Sequence, residues 1–102
     1  MKEALKKIME LGWLVKIYGN GEDIELENVS PAGEDLIISV SVDYFLEELK
    51  DNYEFFDAEE HACMWFGQHK GEPSSLRELL DDAEKIEDMY RELYLTAKEA
   101  ME

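Results

Sequence analysis

A chain of 102 residues with 26 acidic and 10 basic side chains, net −16, lacks the Lys and Arg surplus that direct phosphate binding demands. The same balance disfavours anionic membrane surfaces, and no apolar run approaches the roughly 20 residues of a membrane span. The 45% hydrophobic content is enough for the core of one domain, 1–102, and the lone cysteine, Cys63, fits a reducing, cytoplasmic setting.

Residues 2–11 predict a short helix, with Ala4, Leu5, Ile8 and Leu11 at helical spacing and Gly12 suited to a left-handed C-terminal stop. Its lysines resemble the start of a signal peptide, but Glu3, Glu10 and Gly12 interrupt the apolar stretch, so a folded element is expected. In WLVKIYG, Trp13, Val15 and Ile17 share one face of a strand, and Lys16 and Tyr18 take the other. Gly19-Asn20-Gly21 marks a turn. Ile24–Glu27 alternates apolar and acidic as a half-exposed strand does, and Ser30–Gly33 breaks the chain again. LIISVSV is the clearest strand, with Leu36, Ile38, Val40 and Val42 on one face and Ile37, Ser39 and Ser41 on the other. Three short strands with tight turns predict an antiparallel meander.

The apolar period then changes from 2 to 3.6. Val42, Phe45, Leu46, Leu49 and Tyr53 form one helical stripe, with Ser41 or Asp43 as the expected N-cap. Asp57 and Glu60 form a capping box for a helix reaching about Gly67, with Ala58, Ala62, Trp65 and Phe66 as its apolar face. Gly71-Glu72-Pro73 reads as a loop. Ser75 and Glu78 form a second capping box, opening a helix to about Met101 along Leu76, Leu79, Leu80, Ala83, Ile86, Tyr90, Leu93 and Ala97. About 26 residues make a helix of roughly 40 Å, longer than a round globule of this size, so its far end is expected to project or to meet another chain. The predicted class is α+β: a short N-terminal helix, a three-stranded antiparallel sheet, then three helices packed on one face.

The candidate reactive groups do not converge. His61 and Cys63 lie two apart, about 200° around a helix, and cannot share an ion or act as a base–nucleophile pair. A partly exposed histidine beside a buried cysteine and tryptophan is the expectation. Glu47/Glu48, Asp51/Glu54 and Asp81/Asp82 are carboxylate pairs on polar helix faces, expected to be solvated. Asp81 with Lys85 and Glu87 with Arg91 read as ordinary i, i+4 partners. Asp23, Glu25 and Glu27 beside the turn do not match a calcium loop, and Gly19-Asn20-Gly21 matches neither a dinucleotide nor a phosphate loop. No catalytic, cofactor or metal site is expected, and a catalytic role would need a pocket that gathers His61, His69 or Cys63 with a carboxylate.

Charge is uneven. Residues 19–60 hold 14 acids against Lys50 alone, whereas residues 1–18 are net positive. The aromatics also exceed what a small core holds; Met89, Tyr94 and Leu95 fall off the main stripe of the last helix and suggest a contact surface. Carboxylates at i and i+3 or i+4 lie about 5–6 Å apart at Cβ, near the repeat of a phosphate row. The leading expectation is therefore a non-enzymatic protein that meets a basic, nucleic-acid-binding partner through Glu22, Asp23, Glu25, Glu27, Glu47, Asp51 and Glu54, with Tyr44 and Phe55. The alternative is a small homo-oligomeric structural or regulatory domain, joined through the long C-terminal helix, whose acids serve solubility.

Residues 40–95 carry a pattern of His61, Met64 and Trp65, then Gly71, Pro73, Ser74 and Ser75, then Arg77, Glu78, Leu79, Leu80, Asp82 and Ala83. This pattern resembles a group of small acidic proteins from anaerobic gut bacteria, their phages and mobile elements. The resemblance brings no activity with it. It implies a small protein that blocks or modulates a host machine.

Overall fold

The computed structural model describes residues 1–68 and 75–102. Its elements run α1 (Lys2–Glu10), β1 (Leu14–Tyr18), a 3-10 turn at Gly19–Gly21, β2 (Asp23–Val29), β3 (Asp35–Ser41), α2 (Phe45–Glu54), α3 (Ala58–Gln68) and α4 (Leu76–Met101). This is the α+β architecture that the change of period predicts. The Gly71-Glu72-Pro73 loop, His69 and Ser74 lie outside the described residues.

The sheet is an antiparallel meander in the order β1-β2-β3. Val15 pairs with Leu26, and Leu26 with Ile38, so the apolar alternation of all three strands falls on one side. Gly19, Asn20 and Gly21 all take positive φ in the first turn, which only glycine and asparagine adopt readily. Ile24, Leu26, Leu36, Ile38 and Val40 are buried beneath Ile8 of α1, Phe45 and Leu49 of α2, and Ile86, Leu93 and Ala97 of α4. Helix α3 packs on the first half of α4 through a separate cluster of Ala62, Leu79 and Ala83.

Helix α4 is the spine. The molecule measures 40 × 24 × 21 Å, so its long axis accommodates the whole helix. Contrary to expectation, the far end does not project: α1 packs along it and buries Leu93 and Ala97. Met89 and Tyr94 also pack against the core, leaving Leu95 exposed.

Ser75 caps α4 by accepting the Glu78 N–H, and Asp57 caps α3 by accepting the Glu60 N–H. Helix α2 differs. Its N-cap is Tyr44, not Ser41 or Asp43, and no side chain bonds the helix from that position. Instead the Ser41 hydroxyl accepts the Tyr44 N–H, and Glu48 reaches back to the Ser41 N–H at 2.8 Å and hydroxyl at 2.9 Å. Phe66 is exposed, not buried: among the described elements α3 packs on α4, and Phe66 lies off that contact. Arg91 pairs with Asp88 and lies over the Tyr53 ring; among the described residues neither Asp81–Lys85 nor Glu87–Arg91 forms an ion pair.

One acid departs furthest from expectation. Asp82 is only 3% exposed. It accepts the Ser30 hydroxyl at 2.7 Å and the Ala32 N–H at 2.9 Å, tying the β2–β3 turn to α4. The Ser30 hydroxyl in turn accepts the Glu34 N–H. The solvated reading of Asp81/Asp82 fails here because Asp82 lies three residues after Leu79 and four before Ile86, on the buried stripe itself.

Candidate functional site

The acids singled out by sequence fall into two groups. Cross-strand register puts Asp23, Glu25 and Glu27 on the sheet face opposite the core, in rows with Tyr18 and Ser41, Lys16 and Ser39, and Leu14 and Ile37. Leu14, Tyr18, Val29 and Ile37 are exposed there. Glu22 precedes this face, just after the Gly19–Gly21 turn. Lys16 Nζ lies 2.7 Å from Glu27, whose hydrogen bond and charge raise the pKa of the ammonium. Glu27 is thus already partnered within the chain.

The second group lies on α2. At 100° per residue, Tyr44, Glu47, Glu48, Asp51, Glu54 and Phe55 occupy one arc of about 120°, opposite the buried Phe45 and Leu49. Tyr44 is 59% exposed at one end of the helix and Phe55 81% at the other. A row of carboxylates is thereby bracketed by two solvent-facing aromatic rings.

The groups meet at Ser41. Asp23 stands across from Ser41 on the sheet, and Glu48 binds Ser41 from α2. Between β3 and α2 runs an open groove of about 440 Å³ lined by Ile37, Ile38, Ser39, Val40, Glu48, Asp51 and Asn52.

A third feature lay beyond sequence reasoning. His61 Nε2 sits 2.7 and 2.8 Å from the two carboxylate oxygens of Glu34, 27 residues away. Phe56 meets the His61 ring edge-on at 5.1 Å and the Tyr90 ring at 5.3 Å. A shallow depression beside them is lined by Asp51, Asn52, Phe55, Phe56, His61 and Tyr90. Among the described residues no Ser, Cys or Lys side chain lines that depression. Cys63 is exposed instead of buried and faces away from the Glu34–His61 pair. Among the described residues no group of three His, Cys, Asp or Glu could hold a metal ion, and no helix is long and apolar enough to cross a membrane.

Burial, then the Glu34 charge, pushes the Tyr90 hydroxyl up to about 12. A folded pKa above the ordinary value near 10 means that the native state holds this proton more tightly than the unfolded chain. The stabilisation is complete below pH 10 and disappears as pH rises towards 12. Denaturation midpoints measured from pH 9 to 12 should fall across that window, and Tyr90→Phe should flatten the fall. An unchanged slope in the variant would assign the alkaline sensitivity to other groups.

Three of these features have different sequence visibility. The α2 stripe is legible as acids at i, i+4 and i+7. The Ser41–Glu48 clasp and the Glu34–His61 pair have no local signature. No protein-family model, curated protein or solved structure matches this chain.

Proposed function

We propose that this chain is a non-enzymatic protein-binding module of the cytoplasm that engages a basic partner through the outward stripe of α2 and the adjoining sheet face. The observation that carries this reading is the bracketed row on α2, where Glu47, Asp51 and Glu54 lie between exposed Tyr44 and Phe55. Carboxylates raise the encounter rate with a cationic surface and suppress wrong partners, while aromatic rings provide the buried anchor that charge alone does not. The spacing of the acids approximates a phosphate row, which favours proteins that bind nucleic acid as partners. Blocking or modulating such a protein is the role that fits this surface and the resemblance of residues 40–95.

The test is capture of partners from a host lysate at about 0.05 M and 0.3 M salt, where the Debye length falls from roughly 14 to 6 Å. The wild-type chain should retain a basic protein at low salt and lose it at high salt. The charge-reversed variant Glu47→Lys, Asp51→Lys, Glu54→Lys should lose it at both, with an unchanged far-ultraviolet spectrum. Equal retention by the variant would remove α2 from the interface.

A further inference from the structure

The groove beside β3 has a backbone wall. It is lined by four consecutive residues, Ile37 to Val40. A sheet face would contribute alternate residues, so four in a row identify the strand's edge. β3 is an outer strand of the meander.

The register says which of its groups are free. Val42 donates to Glu22 and Ser30 donates to Glu34, so the hydrogen-bonded pairs with β2 fall on the even-numbered residues of β3. Leu36, Ile38 and Val40 therefore turn their N–H and C=O groups to β2. Ile37, Ser39 and Ser41 turn theirs outward. The Ser41 N–H is met by Glu48, which, among the described residues, leaves Ile37 and Ser39 presenting a donor and an acceptor each to the groove. Across the groove, the Asn52 amide nitrogen is buried and has no hydrogen-bond partner among the described residues.

We infer that this groove binds an extended, lysine- or arginine-bearing segment of a partner protein as a fourth strand on β3. The inference rests on the acidic-surface reading above and specifies how that surface grips. Backbone pairing to Ile37 and Ser39 supplies affinity without sequence demand. Selectivity comes from Glu48 and Asp51 on the α2 wall. Charge decides against a second copy of this chain as the occupant: two β3 edges would bring these carboxylates together, in molecules of net charge −16. The outer strand at the other side, β1, carries Lys16 and lies by the lysine-rich α1, so it does not offer a cationic segment the same complement.

The probe is a synthetic peptide of alternating lysine and valine, seven residues long, titrated while backbone hydrogen exchange of β3 is followed. In the free protein the amides of Ile37 and Ser39 should exchange quickly and those of Leu36, Ile38 and Val40 slowly. Peptide should protect Ile37 and Ser39. N-methylation of alternate peptide amides, which removes two pairing bonds, should weaken binding by about tenfold. Ser39→Pro should do the same without removing a β2–β3 bond, and the methylated peptide keeps the test independent of that variant's folding. Binding that is salt-sensitive but indifferent to methylation, with Ile37 and Ser39 still exchanging quickly, would overturn strand addition and leave the acidic-surface reading intact. Protection of Ile37 and Ser39 by self-association without peptide would overturn it in favour of a second copy. No binding at low salt would overturn it as well, and the lysate capture would then judge the surface reading separately.

Discussion

Asp82→Ala should destabilise the protein by about 3 kcal/mol, read as a shift in denaturant midpoint at constant slope. The carboxylate is 3% exposed and accepts two hydrogen bonds, from the Ser30 hydroxyl and the Ala32 N–H. Hydrogen bonds to a charged acceptor contribute about 1.5–3 kcal/mol each, and deleting the acceptor leaves both donors without a partner. Asp82→Asn keeps a carbonyl oxygen but sets an NH₂ against one of the two donors, so it should cost about half as much. The loss should couple to Ser30. In a double-mutant cycle Ser30→Ala and Asp82→Ala should cost less together than the sum of the two, because each removes the same bond. A loss below about 1 kcal/mol for Asp82→Ala would mean that the turn is held by its own bonds, Ser30 N–H to Glu34 and Gly33 N–H to Ser30.

The Asp82 clamp also shows where the sequence stops being informative. Elements defined by a repeat were legible: period 2 marked the strands, period 3.6 the helices, and Asp57 and Ser75 capped the helices they precede. Each depends on neighbours within about four residues. Ser30 and Asp82 are 52 residues apart, and Glu34 and His61 are 27 apart, so nothing local joins them. Asp82 nonetheless left a trace, being an acid on a buried stripe, and a buried carboxylate must find donors. Exposure was the least legible property. Cys63 and Phe66 follow apolar expectations by type but sit on the sides of α3 that α4 does not reach. Even so, the α2 stripe of the candidate site could be read directly, because its acids and flanking aromatics recur at helical spacing. The groove beside it could not, since only the register of β3 against β2 shows which amides point outward.

Phe45→Ala should have the largest effect on stability, about 4 kcal/mol, and should remove binding with it. Phe45 is 2% exposed and opens α2, packed in the cluster that joins β3 to α4. Its ring is among the largest side chains buried in the protein, and truncation leaves a cavity that the surrounding strands cannot close. For a domain of this size such a loss lowers the thermal midpoint by about 20 °C. Helix α2 is otherwise held by Leu49, its other buried residue, by the stacking of Tyr53 on Tyr94 of α4, and by the Glu48–Ser41 clasp to the sheet. Loosening α2 separates the acidic wall from the β3 edge, so a cationic ligand should bind the variant weakly even at temperatures where the sheet persists. Phe45→Leu, which keeps most of the volume, should cost about 1 kcal/mol and leave binding near wild type. The two variants thus separate a groove that needs α2 in place from a surface that needs only its charges. If Phe45→Ala binds a lysine-rich peptide as tightly as wild type, the carboxylates act wherever they float, and the shape of the groove contributes nothing.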